Sequence, residues 1–388
     1  MSNGYHITLY NQPIVFDNGS AVVKAGFSGE SKPKLFEYNI VGKPKYDKVM
    51  NHGLPNDTYV GNQAQKHRGL LKLRKPMDRG MVKHWDDMEL LWSHIFEDSL
   101  QLNWKSNELE EHPLLITEAP LNPEENRESM CEVLFEKFSF DALYVAPPSV
   151  LSLYANGQTS GCIIDCGDGY CSSTPIYEGF TLPSTIRRVD LGGRDLTEQL
   201  QFYIRKTIGM SLFTGSEQEI VRTIKEKAGY VALNYTQEEL DYKDDTFGSK
   251  ETEFKLPDGQ IISLGKAKYR IPEILFNPMI IHSECDSIPT MVTQSLNLVD
   301  MDLRPVLRSN IVMSGATTMF KGFGDRLLNE IATLTPNESE IRITAPSQRK
   351  YMAWIGGSIF ANSFAFKKLL LNKKSWDEDP KLVHSMFL

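Results

Sequence analysis

An apolar run that ends on a carboxylate and a glycine turn occurs twice in this chain, as Ile14-Val15-Phe16-Asp17-Asn18-Gly19-Ser20 and as Cys162-Ile163-Ile164-Asp165-Cys166-Gly167-Asp168-Gly169. A strand that doubles back at such a glycine presents backbone N–H groups, and the missing Cβ lets a phosphate approach them closely. The neighbouring carboxylates suit a divalent cation held through its water shell. One Asp-x-Gly is an ordinary turn. Two of them, on separate halves of the chain, could face each other across a cleft and clamp the phosphates of one nucleotide. Lys24 follows the first turn and supplies a cation against that charge.

The residue pattern also supplies elements to hold the turns. From Asn11 to Phe36 the chain reads strand, glycine turn, strand, glycine turn, with β-branched Val22 and Val23 and breakers at Gly26 and Gly29, which is antiparallel sheet. Lys43 to Asp57 sets Tyr46, Val49 and Met50 among polar residues around the turn signal Gly53-Leu54-Pro55-Asn56, predicting a mobile surface loop. Asp86 to Phe96 opens acidic and repeats apolar residues at helical spacing, predicting an N-capped amphipathic helix. Leu114 to Glu118 reads as buried strand and Asn126 to Phe138 as helix, and the alternation continues through Leu143-Tyr144-Val145 into the second hairpin, the pattern of an α/β fold. Gly192 to Lys268 is more helical and more charged, with Gln237 to Glu253 acidic and loop-like, and looks like an insertion. Ile355-Gly356-Gly357-Ser358 is expected as a close-packing turn opening an apolar helix that runs to Leu371.

At 388 residues the chain is too long for one core and suits two lobes. No run approaches the roughly 20 apolar residues needed to cross a bilayer. The start Met1-Ser2-Asn3-Gly4-Tyr5-His6 lacks the basic and apolar parts of a secretory signal, so a soluble protein without membrane insertion is expected. Its five cysteines (Cys131, Cys162, Cys166, Cys171, Cys285) have no C-x-x-C spacing and read as free thiols of a reducing compartment. A formal net charge of −8 argues against nucleic acid as a partner and leaves basic partners or self-assembly.

With the hairpins placed, further motifs fall into order: Val312-Met313-Ser314-Gly315-Ala316-Thr317-Thr318, Ala345-Pro346-Ser347-Gln348-Arg349-Lys350-Tyr351, Trp354-Ile355-Gly356-Gly357-Ser358, Trp85-Asp86-Asp87-Met88 and Thr117-Glu118-Ala119-Pro120-Leu121-Asn122-Pro123. By these the chain resembles the actin family from Asn11 to its C-terminus. Asn11-Gln12-Pro13, Asp300 to Arg304 and Lys321 to Leu328 depart from conventional actin and resemble the actin-related branch found in the dynactin complex. The resemblance implies an actin-like, ribonuclease H-like duplicated, two-lobed ATPase fold with four subdomains around a nucleotide cleft. Subdomain 1 would comprise 1–38, 76–155 and 352–388, and subdomain 2 would be 39–75 with its mobile loop at 43–57. Subdomain 3 would comprise 156–191 and 284–351, and subdomain 4 would be 192–283. It also implies ATP or ADP with Mg²⁺ or Ca²⁺. Asp17, Gly19, Ser20, Ala21 and Lys24 would hold phosphates on one side and Asp165, Gly167, Asp168 and Gly169 on the other. Asp17 and Asp165 would hold the metal through water. Arg222, Lys225, Glu226, Gly315, Ala316, Thr317 and Lys350 match adenosine-side positions. Taken alone, Lys225 and Glu226 read as a solvated helix face.

Departures bear on mechanism. Where the family has a water-positioning glutamine this chain has Pro148, and where it has an assisting histidine this chain has Ser172. Proline offers no side-chain hydrogen bond and serine is a poor base near neutral pH, so at most a very slow ATPase with a mainly structural role is expected. Ala21 and Ala316 replace glycines, which restricts φ beside the nucleotide. Arg79 replaces a histidine.

The resemblance implies a head-to-tail filament, with Tyr46, Val49 and Met50 entering a groove of the next protomer made by Tyr154, Thr159, Phe360, Ser363 and Phe366. Tyr154 and Phe366 could equally be core. The implied partners are the chain itself, other dynactin subunits including end-capping proteins, and, indirectly, cytoplasmic dynein and its cargo adaptors, in the cytoplasm and cytoskeleton. Conventional actin-like filaments and nuclear chromatin-complex subunits are the alternative within the family. A sugar or acetate kinase shares the phosphate clamp but needs a catalytic carboxylate with an acceptor pocket, and no such motif stands out. A chaperone-type ATPase needs a substrate domain for which no residues remain.

Overall fold

The computed structural model describes residues 12–45, 57–106, 108–243, 253–256, 259–335 and 340–386. They divide into two compact units, one of 1–39, 75–157 and 352–388, the other of 40–74 and 158–351.

In the first unit the fully buried run Ile14-Val15-Phe16 forms the centre of a six-stranded sheet. Strand β1 (Ile14–Asn18) pairs antiparallel with β2 (Val22–Phe27), which places Asp17 opposite Lys24, and β2 pairs with β3 (Leu35–Tyr38). On its other edge β1 runs parallel to β4 (Leu114–Thr117), followed by β5 (Ala142–Ala146) and the short strand Leu371–Asn372. Parallel strands covered on both faces read as continuous apolar runs, as Leu114-Leu115-Ile116 does. One face is filled by an aromatic cluster in which Phe16 meets Trp92 edge-on at 6.1 Å and Phe96 meets Phe138 at 5.2 Å.

Two helical expectations are corrected here. Helix Trp85–His94 has no side-chain cap at His84; Asp86 and Asp87 favour its start from inside the first turn, through the helix dipole. Ile355 to Ser358 is not a turn but the interior of helix Met352–Ala361, and that helix stops at Ala361 instead of reaching Leu371. A Cβ on Gly356 would lie 1.7 Å from the Leu151 carbonyl oxygen of helix Pro148–Ala155, and one on Gly357 would lie 2.8 Å from Val15 Cγ1. These glycines therefore serve close backbone approach and not a reversal.

The second unit repeats the arrangement. Strand β6 (Gly161–Cys166) pairs antiparallel with β7 (Cys171–Tyr177) and parallel with β10 (Ile311–Ser314), just as β1 pairs with β2 and β4. Beyond β7 lie β8 (Phe180–Thr181) and β9 (Arg187–Val189), and beyond β10 lies β11 (Ile343–Thr344). In each sheet the strand bearing the aspartate is central, with a hairpin partner on one side and a parallel strand on the other. The same unit contains a smaller sheet of Val41–Pro44, Tyr59–Val60 and Leu71–Arg74. The acidic stretch expected as a loop begins instead as helix Tyr235–Lys243. Glu239 on it accepts from Lys266 Nζ at 2.9 Å, from Arg270 Nε at 2.5 Å and from the Tyr269 hydroxyl at 3.2 Å. The Arg270 and Lys266 hydrogen bonds, opposed by burial, hold its carboxyl at about 2. Among the described residues no helix is long and apolar enough to cross a membrane.

Candidate functional site

In the first unit the β1–β2 turn is held from several sides. The Asp17–Lys24 pairing of the ladder puts both side chains on one face, and Lys24 Nζ reaches Asp17 Oδ2 at 2.5 Å. The other oxygen, Asp17 Oδ1, accepts from Thr117 Oγ1 at 3.1 Å, while that hydroxyl accepts from Asn18 N at 2.9 Å. The carboxylate is thus fixed by a cation and a hydroxyl before any ligand arrives. A Cβ on Gly19 would sit 2.6 Å from the Val22 carbonyl, so this turn closes only around glycine. Ser20 Oγ accepts from Gly80 N at 2.9 Å, and Asn39 donates from Nδ2 to the Gly19 carbonyl at 3.0 Å and from its backbone N to the Ala21 carbonyl at 2.9 Å. Asn18 Oδ1 and Asn39 Oδ1 are buried acceptors without a donor among the described residues. Buried polar atoms normally find partners, so these two mark places where water or a ligand group belongs.

In the second unit the β6–β7 turn is fastened to two neighbouring segments. Gly167 N–H donates to the Tyr170 carbonyl at 3.0 Å, and the Gly167 carbonyl accepts from Thr317 Oγ1 at 2.7 Å and from Gly193 N at 3.0 Å. The Asp168 carbonyl accepts from Arg194 N at 2.9 Å, and its carboxylate lies 3.6 Å from Arg194 Nε. Lys225, buried on helix Gly215–Ala228, donates Nζ to the Gly193 carbonyl at 2.5 Å. Glycine is required where these backbones meet: a Cβ on Gly192 would lie 2.5 Å from the Asp168 carbonyl oxygen. Gly315 has φ +88° and ψ 148°, and a Cβ there would lie 2.2 Å from the Cys166 carbonyl oxygen and 2.7 Å from Asp165 Oδ1. The 315–317 turn and the acidic hairpin form one constellation. Asp165 stands directly opposite Ser172 in the ladder, and Ser172 Oγ is a fully buried hydroxyl without a partner among the described residues.

The structure therefore gathers Asp17, Gly19, Ser20, Ala21 and Lys24 into one cradle. It gathers Asp165, Gly167, Asp168, Gly169, Lys225, Gly315 and Thr317, with Ala316 exposed beside them, into another. The remaining adenosine-side positions sit apart from these hydrogen bonds: Arg222 pairs with Glu219 at 2.5 Å and Glu226 at 3.7 Å along its own helix, and Lys350 is exposed with Nζ over the Tyr351 ring. Pro148 is the buried first residue of its helix. Thr117, Asn39, Gly80, Gly192, Gly193 and Arg194 position the two turns although sequence reasoning gave them no role. Their signal was weak, because each acts across the fold and not along the chain. Gly192-Gly193 before an acidic helix start was the one legible hint.

Of the assembly residues, Phe366 is fully buried and packs edge-on against Phe360 at 5.7 Å, so as it stands it belongs to the core and is no contact surface. Tyr154 is half-buried, stacked at a tilt on half-buried Phe360 at 5.7 Å, and Thr159 is exposed. Ser363 is half-buried, its Oγ accepting from Phe366 N. Tyr46, Val49 and Met50 lie outside the described residues. All five cysteines are free; burial pushes the Cys162 thiol up to about 12 and holds those of Cys131 and Cys166 well above the ordinary thiol range.

Comparison with known proteins agrees with this geometry. The actin family model matches residues 8–387. The chain is 55% identical over 385 residues to the protein named centractin of Saccharomyces cerevisiae, covering 99% of this chain and 98% of the relative. It is 44% identical over 382 residues to an actin-like protein of Neurospora crassa, covering 98% of this chain and 99% of the relative.

Proposed function

Because this chain belongs to the actin family and is centractin-like within it, we propose that it is a nucleotide-binding filament protomer, the actin-related subunit of a dynactin complex. The observation that carries the nucleotide reading is the pair of glycine-closed acidic turns, the first with Asp17 fixed by Lys24 and Thr117, the second tied through the Gly167 carbonyl to Thr317 and Gly193, with Asn18 Oδ1, Asn39 Oδ1 and Ser172 Oγ buried and awaiting partners. ATP or ADP suits them: the first cradle offers Lys24, Ser20 and the glycine turn to phosphates, the second offers Gly167 to Gly169 and the Gly315 turn. Asp17 and Asp165 are the residues that would hold a hydrated Mg²⁺ or Ca²⁺ through water, and the cation would neutralise phosphate charge. With Pro148 and Ser172 in place of groups that organise water, hydrolysis is very slow and the nucleotide serves chiefly as a structural cofactor. The filament contacts other dynactin subunits, including end-capping proteins. Through dynactin it serves cytoplasmic dynein in microtubule-based transport, nuclear migration and spindle positioning, in the cytoplasm and cytoskeleton.

Nucleotide released by acid from the purified full chain and resolved by anion exchange tests the first half. ATP or ADP is expected at near one per chain, and Asp165→Ala should lose most of it. A variant that retains as much as the wild type overturns the assignment. Affinity capture of the tagged chain tests the second half: dynactin components are expected, and recovery with chromatin-remodelling subunits instead overturns the proposal.

A further inference from the structure

The last rung of the β6–β7 hairpin places Cys166 directly opposite Cys171. The next pair inward to the turn, Gly167 with Tyr170, is hydrogen-bonded through Gly167 N–H. Antiparallel ladders alternate, so the cysteine pair is of the non-hydrogen-bonded kind, where Cα atoms approach to about 4.5 Å and side chains lie closest. That separation is inside the range of about 4.4–6.8 Å that disulfides span. Both side chains leave the sheet on the same face, and both are fully buried. The other candidate on that face, Cys162, stands opposite Pro175 and bonds Ser173 Oγ at 3.3 Å, and Cys131 belongs to the other unit.

We propose that Cys166 and Cys171 are a modification site: a reversible disulfide that forms across the hairpin under peroxide and latches the turn carrying Asp165 and Gly167 to Gly169. The chemistry balances with hydrogen peroxide as oxidant. One sulfur, giving up its proton, attacks a peroxide oxygen; the O–O bond breaks, leaving a sulfenic acid and one water. The second sulfur then attacks the sulfenic sulfur, and the departing hydroxide takes its proton as a second water. Two thiols are oxidised by two electrons and one peroxide is reduced. Neither thiol has exposed surface, so oxidation waits on local opening of the hairpin and is slow. The loop closed is only the turn itself, so the link gains little from chain entropy and stays easy to reduce. Because the Gly167 carbonyl also takes the Thr317 hydroxyl and Gly193 N–H, a tie one residue away stiffens the whole constellation.

The test uses the full chain, folded and reduced, exposed to hydrogen peroxide, quenched, unfolded and alkylated. Cleavage after Tyr170 separates the two cysteines, so a joined pair of peptides, released by dithiothreitol, is the expected product. Cys171→Ser and, separately, Cys166→Ala should abolish it. Both thiols remaining open to alkylation, or either found joined to another cysteine, overturns the proposal. The latch is read by release of a fluorescent ATP analogue, expected to slow several-fold in the oxidised wild type and not in treated Cys171→Ser. Unchanged release from a mapped disulfide overturns the latch. This last readout rests on the nucleotide reading above, while the peptide map does not, so a chain that binds no nucleotide but forms the link fails the former alone.

Discussion

Gly315→Ala is the most discriminating single change. Its φ of +88° with ψ of 148° lies in a region that essentially only glycine occupies, so an alanine costs about 1–3 kcal/mol in backbone strain alone. The new Cβ would also stand 2.2 Å from the Cys166 carbonyl oxygen and 2.7 Å from Asp165 Oδ1. Relief requires moving either the 315–317 turn or the central strand β6, so the total is about 3 kcal/mol. Gly209 in the same unit is the control. It too has positive φ, +76°, at the end of helix Gly193–Ile208, but nothing lies within 4 Å of a Cβ there, leaving only the left-handed penalty of about 1 kcal/mol. For a unit of this size each kcal/mol shifts the melting midpoint by about 2–4 °C. Calorimetry should find Gly315→Ala lower by about 6–12 °C and Gly209→Ala by about 2–4 °C. Bound nucleotide after desalting should fall only in Gly315→Ala, because its Cβ displaces Asp165. Equal midpoints for the two variants, or full nucleotide retention by Gly315→Ala, would refute the close-contact argument.

Phosphate release from polymer should sit near background and rise in Pro148→Gln combined with Ser172→His; a wild-type rate like that of conventional actin would show that other residues organise water. Replacing Val49 and Met50 by Asp should leave a nucleotide-bound chain that no longer pellets as filament, since burying such side chains is worth about 25 cal/mol per Å² summed along the polymer; continued pelleting moves the joint elsewhere. Glu239 has a folded pKa of about 2, lowered by its hydrogen bonds to Arg270 and Lys266. Its contribution is therefore present above the ordinary carboxylate pKa and is lost as pH falls from about 4.5 towards 2. Urea midpoints of wild type and Glu239→Gln should converge through that window, and a constant gap across it would exclude Glu239 as the source.

The two acidic hairpins were legible in the residues because everything that makes them is local. β-branched and apolar runs favour strand, Gly19 and Gly167 permit the turn, and the carboxylates sit within three residues of it. The sequence assigned Lys24 to phosphate charge, and it was the ladder that set it opposite Asp17. Other features were decided by contacts distant in sequence. Gly356-Gly357 read as a turn, since glycine frees the backbone; only the 1.7 Å approach to Leu151 shows that here it admits a neighbouring helix. Gln237 to Lys243 read as loop from its charge, and is helix because Lys266 and Arg270, far along the chain, converge on Glu239. Tyr154 and Phe366 carry similar sequence signals, yet one is half-buried and the other is core. Composition and spacing thus determined the chemistry the chain carries, because turn, strand and charge preferences act over a few residues. Which glycine closes a turn, which carboxylate finds a cation and which ring stays partly exposed depended on packing between segments tens to hundreds of residues apart, where burial and close contact outweigh local propensity.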